Sequence, residues 1–546
     1  MADESEATPT LNAADIALVA DLGVRRHVDE GEFLYRAGDV SYDFFVLVSA
    51  EVEIFLQVGG GENVIAQHGP GRFLGELNML SGLRVFVSAR VARAGEVVVL
   101  ARDRLRQLMA TNPQLGDTIL AAFVARRALL LTNAAPSIRV IGSQFSPESL
   151  RIREFLTRTR VPHEWLDPDR DQQVEDLLAQ FGIAASELPV VIANGSVLRR
   201  PSPGELASYL GLTVESLPGR CFDLVVVGGG PAGLAAAVYG ASEGLRTLGV
   251  DMTAPGGQAG TSSRIENYLG FPMGISGSEL TQRAVIQAEK FGANLTVPCT
   301  AVSIRNQAGH LVVRLSDGSD VAGRAVIAAS GASYRRLDAA RLGDFEGNGV
   351  YYAATEMEAR LCAMSPVVVV GGGNSAGQAA IFLGQGGCRV NLVIRGTDLG
   401  KSMSRYLVQR IEAHPQVAVR TETTVIALEG DETLRALRLK GPEGETVLEC
   451  AGLFSFVGAD PSSGWLSGCA ALDERGFVLT DLSLSVEQLG ADWDTLGRHP
   501  LPFETSHPGL FAVGDLRSGS TKRVAAAVGE GSAAVRSVHQ YLAFGS

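Results

Sequence analysis

Apolar and polar residues alternate in short runs over the first 134 residues of the chain. The stretches FFVLVSAEVEIFLQV (44–58) and RVFVSARVARAGEVVVLA (84–101) have the period of two that predicts β-strands joined by glycine turns. The stretches that follow, RDRLRQLMATNP and GDTILAAFVARRALLL, have helical spacing instead. We therefore predict that residues 1–134 form a β-roll capped by helices, which is an architecture typical of regulatory domains.

A second pattern covers residues 135–217. The stretch SIRVIGSQFSPESLRIREFLTRTRVPHEWLDPD predicts a strand, a turn, a helix and another strand. The stretch ELPVVIANGSVLRRPSPGELASYLGL then adds a hairpin and a last helix. These elements predict a small α/β domain.

The rest of the chain begins with a buried strand, a glycine turn and a helix of small residues, CFDLVVVGGGPAGLAAAVYGASEGLRTLGVD. The glycines have the G-x-G-x-x-G spacing, and Asp251 stands 23 residues after the first of them, near the offset of a ribose-binding acid. Strand, turn, helix and acid together predict a dinucleotide site. Its turn residues are Gly228, Gly230, Pro231, Ala232 and Gly233.

A second copy of this pattern lies in SPVVVVGGGNSAGQAAIFLGQGGCRVNLVIRG. No carboxylate closes its second strand. Arg395 stands there, with Lys401 nearby, and a cation at this place suits the 2′-phosphate of NADPH. NADPH is therefore preferred, and NADH is the alternative if Arg395 is only a solvated surface charge. The turn residues of this copy are Gly371, Gly373, Asn374, Ser375 and Ala376.

Two such units in one chain imply two dinucleotides, with one unit inserted into the other. The predicted fold class is multidomain α/β: a β-roll with helices, a small α/β domain and two Rossmann-type domains. The predicted parts of the last two are 218–333 and 453–546, which form the outer domain, and 334–452, which form the inserted NAD(P)H domain.

Composition narrows the class of partner. The length of 546 residues implies several domains, and 64 glycines with 46% hydrophobic residues suit α/β folds with many turns. A net charge of −13 argues against nucleic acid. The N-terminus, MADESEATPT, is no signal peptide, and no apolar run approaches 18 residues. We expect a cytoplasmic protein without a membrane span.

Cysteine spacing bears directly on the chemistry. All cysteines lie after residue 220, and no two form a Cys-x-x-Cys. This spacing excludes a Cys-x-x-Cys redox centre and argues against a zinc site. We predict buried thiols in a reducing compartment. The six are Cys221, Cys299, Cys362, Cys388, Cys450 and Cys469.

The residues GRFLGELNMLSGLRVFVSARV resemble the phosphate cassette of cyclic-nucleotide-binding domains. The resemblance implies that the backbone of Gly75, Glu76 and Leu77 binds the cyclic phosphate and that the carboxylate of Glu76 takes the ribose hydroxyl. The cassette arginine falls on Val85, and Arg84 is one residue early, which on a strand points to the opposite face. A pocket of this kind would also include Ser88. A docking role without ligand is the favoured alternative.

Residues 135–217 resemble the thioredoxin/glutaredoxin fold. Ser146, Pro147, Glu148 and Ser149 occupy the place of its Cys-Pro-x-Cys, and the Leu188–Pro189 pair stands at its cis-proline turn. Serine supplies no thiolate, so this domain is expected to exchange no disulfides. An adapter or docking role is favoured over an uncharacterised ligand role.

Residues 218–546 resemble low-molecular-weight thioredoxin reductases, which implies FAD in the outer domain (218–333 and 453–546), NADPH in the inserted domain (334–452) and a homodimer. In GGQAGTSSRIENYLGFP, Gln258 and Asn267 would lie near the flavin, and AVIAASGASYRRL matches the family's hinge strand, with Gly331. In HPGLFAVGDLRSGSTKRVAAAVGEGSAAV, the acid would accept a hydrogen bond from the ribityl chain, and the next helix would face the flavin carbonyl. The residues concerned there are Gly514, Asp515, Arg523 and Val524.

The chain departs from these reductases at the redox disulfide, where Ala353 and Glu356 replace both cysteines. The leading hypothesis is an NAD(P)H-dependent FAD oxidoreductase with another acceptor: a quinone, an iron–sulfur or flavin protein, or oxygen. One alternative is a redox- or nucleotide-responsive regulatory scaffold. Another is disulfide reduction through Cys362 and a distant cysteine, although a lone helical cysteine is more often a packed residue.

Overall fold

The structure of the protein is a computed structural model in two compact units. The first unit comprises Met1–Asp223, Ala237–Ala254 and Val285–Thr300, and the second comprises Leu224–Ala236, Pro255–Ala284 and Ala301–Ser546. The residues described are 4–39, 42–58, 61–81, 84–133, 138–143, 146–159, 161–170, 174, 178, 182–193, 196–213, 221–262, 265, 268–307, 309–345, 349–352, 354, 359, 362, 364–431 and 433–544.

The N-terminal part of the first unit is a β-roll with helices. Its elements are α1 (Glu4–Ala7), α2 (Ala13–Leu22), β1 (Val24–Val28), β2 (Phe33–Tyr35), β3 (Phe44–Leu47), β4 (Glu51–Val58), β5 (Gly61–His68), β6 (Phe73–Leu74), α3 (Asn78–Ser81), β7 (Ser88–Arg93), β8 (Gly95–Leu100), α4 (Arg102–Thr111) and α5 (Pro113–Asn133). The strands form two sheets, in the orders β1-β8-β3-β6 and β2-β7-β4-β5. Phe44 and Phe123, whose ring centroids are 6.3 Å apart, join β3 to α5 in the core.

The predicted strand over 84–101 begins later than the sequence pattern indicates. Residues 84–87 precede β7 and are not part of it. Their backbone groups bond outside the sheet: the Val85 N–H donates to the Asp39 carbonyl, and the Arg84 N–H donates to the Leu210 carbonyl. Residues 84–87 therefore share the alternating pattern of residue types but not the hydrogen bonding of the sheet.

The next part of the first unit follows the predicted element order. Its elements are β9 (Ile138–Ile141), α6 (Pro147–Arg158), β10 (Glu164–Leu166), β11 (Val190–Ala193), β12 (Ser196–Arg199) and α7 (Pro203–Leu210). The sheet order is β10-β9-β11-β12, with β10 parallel to β9 and the other neighbours antiparallel. The Leu188–Pro189 peptide bond is cis.

Residues 221–300 are divided between the two units. Their elements are β13 (Cys221–Val227), α8 (Pro231–Ser242), β14 (Thr247–Val250), α9 (Gly277–Lys290) and β15 (Asn294–Thr296). In the first unit, β14 and β15 pair in parallel. The last residues of α9 also belong to the first unit, where Ile286 packs on the β-roll core and Lys290 lies 3.6 Å from Asp117.

The second unit holds the remaining strands, β16 (Ala301–Gln307), β17 (His310–Leu315), β18 (Asp320–Ala328), β19 (Ala332–Tyr334), β20 (Val350–Tyr351), β21 (Pro366–Val370), β22 (Arg389–Val393), β23 (Val417–Arg420), β24 (Thr424–Gly430), β25 (Leu434–Gly441), β26 (Gly444–Glu449), β27 (Gly452–Ser455), β28 (Ala459–Pro461) and β29 (Leu510–Ala512). Its remaining helices are α10 (Asn374–Gln385), α11 (Arg405–Glu412), α12 (Ala491–Leu496) and α13 (Val524–Phe544).

Two sheets of the second unit position the candidate sites. In one, β13, β18, β17 and β16 are neighbours in that order, and β29 pairs with β18 in parallel. The other is parallel throughout, in the order β20-β27-β21-β22-β23. The apolar strand β21 lies at its centre, as expected for a strand covered on both faces.

Candidate functional site

The first glycine turn follows β13 and is closed by backbone on both sides. Gly228 has a φ of +111°, and a Cβ there would collide with the Ala329 carbonyl. A Cβ on Gly233 would collide in turn with the Gly228 carbonyl. Helix α8 begins at Pro231, so its open N–H groups follow the turn directly. Such a turn admits a pyrophosphate against the start of a helix.

A second glycine loop lies against the first. The Gly256 N–H donates to the Gly229 carbonyl at 2.7 Å, and a Cβ on Gly257 would be 2.8 Å from the Gly230 Cα. The next residue, Gln258, donates through Nε2 to the Ala332 carbonyl. The structure thus brings the predicted residues of GGQ to the predicted glycine turn.

The turn at 514–516 completes this part of the second unit. Gly514 has a φ of +70°, and a Cβ there would lie 2.9 Å from the Cβ of Ala232 on α8. Asp515 is partly buried, which raises the pKa of its carboxyl, while Lys522 opposes the shift. No protein donor among the described residues bonds to the Asp515 carboxylate, so its oxygens are open to a ligand hydroxyl. Helix α13 begins at Val524, directly after the exposed Arg523.

These features fit FAD in the second unit. The turn after β13 leads directly into the N-terminus of α8, where a pyrophosphate would bind, and no protein donor among the described residues occupies the Asp515 carboxylate. Gly331, with a φ of +66°, lies just before β19, and its carbonyl accepts from the Ser462 N–H at 2.9 Å.

Two other predicted residues of this site stay predictions. Asp251 belongs to the first unit, where its carboxylate caps the Thr253 and Ala254 N–H groups at 2.9 Å. Its predicted contact with a ribose at the glycine turn is therefore untested. Asn267 lies outside the described residues.

The second glycine turn has the same construction at the end of β21. Gly371 has a φ of +146°, and a Cβ there would collide with the Phe456 carbonyl and lie 3.1 Å from the Cβ of Ala376. Gly373 is the N-cap of α10 and supplies no side chain to its first N–H groups. Asn374 accepts from the Ser404 N–H at 2.7 Å, while Ser375 is exposed. The turn fits a second pyrophosphate.

Two cations follow β22 at this site. Arg395 comes directly after Ile394, and both Arg395 and Lys401 are exposed. Neither is paired with a carboxylate in the described part of the chain. They are therefore available to a 2′-phosphate.

Three of the four thiols of the second unit are buried in its interior, and Cys469 is partly exposed. Cys362 lies in a turn with 1% of its surface exposed. The Cys388 Sγ donates to the Cys362 carbonyl at 3.2 Å, and the Cys450 Sγ donates to the Gly452 carbonyl at 3.1 Å. Burial raises the pKa of Cys450 to about 12. No disulfide links the described cysteines. Ala353 and Glu356 lie outside the described residues.

In the β-roll, the carboxylate of Glu76 is already engaged. It forms a buried ion pair with Arg127 of α5 at 2.9 Å and accepts from the Asn78 N–H at 3.2 Å. The Arg127 guanidinium also bonds to the Asn78 side-chain oxygen. Sequence spacing gave no sign of Arg127, because 51 residues separate it from Glu76.

The other predicted pocket residues have structural partners too. Arg84 donates to the Gly38 carbonyl at 2.9 Å, and the Ser88 hydroxyl accepts from the Ala37 N–H at 3.0 Å. Gly75 has a φ of +145°, and Leu77 is buried in the core. Val85, at the cassette arginine position, is 1% exposed. Thus the position of the cassette arginine holds a buried valine and no cation.

In the region of 135–217, Ser146 is the N-cap of α6, and its hydroxyl accepts from the Ser149 N–H at 3.3 Å. Ser149 is fully buried against Gly142, and its Oγ has no hydrogen-bond partner within the part described. Neither serine can do thiol chemistry.

The two turns and their sheets define a protein that binds two dinucleotides. Residues 222–531 match the pyridine nucleotide-disulphide oxidoreductase family, and residues 25–112 match the cyclic nucleotide-binding domain. The thioredoxin reductase of Treponema pallidum (strain Nichols) is 32% identical over 324 residues, 59% of this chain and 97% of that protein. The bifunctional thioredoxin reductase/thioredoxin of Mycobacterium leprae is 33% identical over 334 residues, 61% of this chain and 68% of that protein.

Solved structures agree. Thioredoxin reductases of Lactococcus lactis and T. acidophilum align with TM-scores of 0.52, at 25% and 28% identity, over 59% of this chain and 99% and 98% of theirs. The chain belongs to the pyridine nucleotide-disulphide oxidoreductase family, in its thioredoxin reductase-type branch, and it is an NAD(P)H-dependent FAD enzyme. An N-terminal cyclic-nucleotide-binding-type domain is fused to it. Within the described residues, no helix is long and apolar enough to cross a membrane.

Sequence reasoning missed one cluster beside the flavin turn. Glu530 of α13 accepts from the Gly514 N–H at 2.7 Å and from Arg517 at 2.7 Å. The only signal in the sequence was an acid within the glycine-rich stretch VGEGSA.

Proposed function

We propose that this enzyme passes electrons from NADPH through FAD to an acceptor that is not a dithiol of its own chain. The observation that carries the proposal is the absence of any Cys-x-x-Cys from a chain that forms both glycine turns. FAD, when bound, supplies the hydride acceptor, and the nicotinamide supplies the hydride. The protein's part is to hold both groups in position, which requires no side-chain nucleophile.

The thiols of the second unit support this proposal. A disulfide reductase needs a thiolate that its substrate can reach. Cys362 is sealed, and burial raises the pKa of Cys388 and of Cys450. Burial also raises the pKa of the less buried Cys469. A quinone, an iron–sulfur or flavin protein, or oxygen would instead take electrons from the flavin directly.

NADPH is the proposed donor rather than NADH. Arg395 and Lys401 offer two exposed charges after β22, where a carboxylate would favour the ribose hydroxyl of NADH. Anaerobic stopped-flow mixing tests the donor. NADPH should bleach the flavin absorbance faster than NADH at equal concentration. Absence of bleaching with either nucleotide would remove the proposed function.

The acceptor is tested with a variant in which all six cysteines are serine. Steady-state turnover with NADPH and a panel of quinones, ferredoxin, flavodoxin and oxygen should match that of the wild-type enzyme. Thioredoxin reduction is the second candidate, because the relatives named above are thioredoxin reductases. Wild-type reduction of thioredoxin that the cysteine-free variant loses would establish that candidate instead.

Two further proposals concern assembly and regulation. By analogy with the family we propose a homodimer, to be measured by light scattering. For the β-roll we propose a docking role without cyclic nucleotide, since Val85 replaces the phosphate cation and Glu76 is paired. Saturable binding of fluorescent cAMP or cGMP that Glu76→Ala abolishes would contradict it and support the regulatory alternative.

A further inference from the structure

The flavin turn is held from one side by a single carboxylate. Both oxygens of Glu530 are used: Oε2 accepts from the Gly514 N–H at 2.7 Å, and Oε1 accepts from the Ser520 hydroxyl at 2.8 Å. Arg517 donates to both oxygens, at 3.1 and 2.7 Å. One side chain of α13 therefore bonds to the backbone at the start of the 514–520 loop and to side chains at its middle and end.

This cluster is also nearly closed to solvent. The side chains of Arg517 and Glu530 are 19% and 11% exposed. The pair has no net charge, although each charge still acts on near neighbours because little water is present to screen it. The charge of Glu530 is still felt at Asp515, where it adds to the effect of burial in raising the pKa of the carboxyl.

We propose that Glu530, together with Arg517, is a positioning pair for the flavin: it holds the Gly514–Asp515 turn and keeps the local charge balanced. The contacts of the pair are with the turn and its loop, so the proposed role is positioning and not catalysis. This inference rests on the proposed placement of FAD at the turn.

The charges of the pair allow a positioning role to be distinguished from a purely structural one, because removing either charge should change the midpoint potential of FAD. Glu530→Gln leaves Arg517 as an unpaired cation beside the turn, which favours the more negative, reduced flavin. Arg517→Gln leaves Glu530 as an unpaired anion, which opposes reduction. The midpoint potential of bound FAD should therefore become more positive in the first variant and more negative in the second. The double variant should return close to wild type.

A matched control lies at the other end of β29. Glu504 is fully buried and accepts from Arg498 at 2.6 Å and from the Leu501 and Gly509 N–H groups at 2.8 and 2.9 Å. Glu504→Gln thus removes a charge from a cluster of the same kind that does not touch the 514–520 loop. It should lower the melting temperature and leave the FAD potential and affinity of the folded enzyme unchanged.

The experiment uses the full-length holoenzyme. Release of FAD on dilution, followed by flavin fluorescence, should show an affinity lowered by about tenfold to a hundredfold in Glu530→Gln, as expected for the loss of charge-assisted hydrogen bonds. Spectroelectrochemistry gives the potentials. Midpoint potentials that shift in the same direction in both single variants, or in neither, would overturn the inference. The proposed function would still stand in that case if the wild-type enzyme binds FAD. A wild-type chain that holds no FAD would overturn both.

Discussion

Replacing Arg127 with methionine tests the buried charge pair of the β-roll. Arg127 and Glu76 are each 5% exposed, and three hydrogen bonds of 2.9–3.3 Å join their side chains. Methionine keeps much of the volume and leaves the carboxylate buried without its cation. Breaking such a pair costs about 3–5 kcal/mol, far more than the loss of an exposed pair.

Hydrogen exchange is the suitable assay, because a chain of several domains has no single unfolding free energy. Peptides from α5 and from β6–α3 should exchange roughly a hundredfold faster or more in Arg127→Met. Peptides from the nicotinamide sheet should be unchanged. The double variant Glu76→Met/Arg127→Met should recover most of the protection, because an apolar pair has no charge to desolvate.

The refuting result is equally specific. If Arg127→Met changes the opening free energy by less than about 1 kcal/mol, the Arg127–Glu76 ion pair contributes no more than a solvent-exposed pair does. The interpretation of the cassette as internally paired would then be wrong.

Three other substitutions address separate features. Burial raises the pKa of Glu289 to about 7. The fold favours the protonated carboxyl, so this contribution to stability is complete below the ordinary pKa and is lost as pH rises through 7. Hydrogen exchange of α9 peptides should therefore give Glu289→Gln the same opening free energy as wild type near pH 4.5 and one about 3 kcal/mol higher at pH 8. Gly228→Ala should purify without flavin absorbance, whereas Gly529→Ala, whose Cβ meets nothing within 4 Å, should keep full flavin content. Arg395→Leu, with Lys401→Leu as its companion, should raise KM for NADPH about tenfold and leave KM for NADH unchanged in steady-state assays; equal rises would refute a phosphate contact.

Local sequence pattern was sufficient for the glycine turns. Each turn places its required residues within a few positions of one another, so spacing alone identified Gly228 and Gly371. The collisions that a Cβ would make are the physical reason for the pattern. Strands β3, β4 and β8 and helices α4 and α5 of the β-roll followed from periodicity in the same way.

Contacts distant in sequence could not be predicted. Arg127 reaches Glu76 across 51 residues, and Glu530 reaches Gly514 across a helix start. Neither acid stands out in the sequence. Glu76 lies in a stretch that resembles a phosphate cassette, and Glu530 lies in a helix of small residues. The start of β7 at Ser88 was missed for a related reason, since partners outside the sheet take the hydrogen bonds of the preceding residues.

Residues 135–217 contain no cysteine, and the cysteines of the second unit form no Cys-x-x-Cys. The side chains present have different physical consequences in the two regions. In residues 135–217, the hydroxyl of Ser149 is sealed without a partner among the described groups, a cost of about 1–3 kcal/mol that a satisfied hydroxyl would avoid. In the second unit, the buried thiols of Cys388 and Cys450 bond to carbonyl groups. A thiol that is neither ionised nor exposed does not attack a disulfide. Under the proposed function, electrons therefore leave from the flavin itself, and specificity depends on which acceptor can approach it.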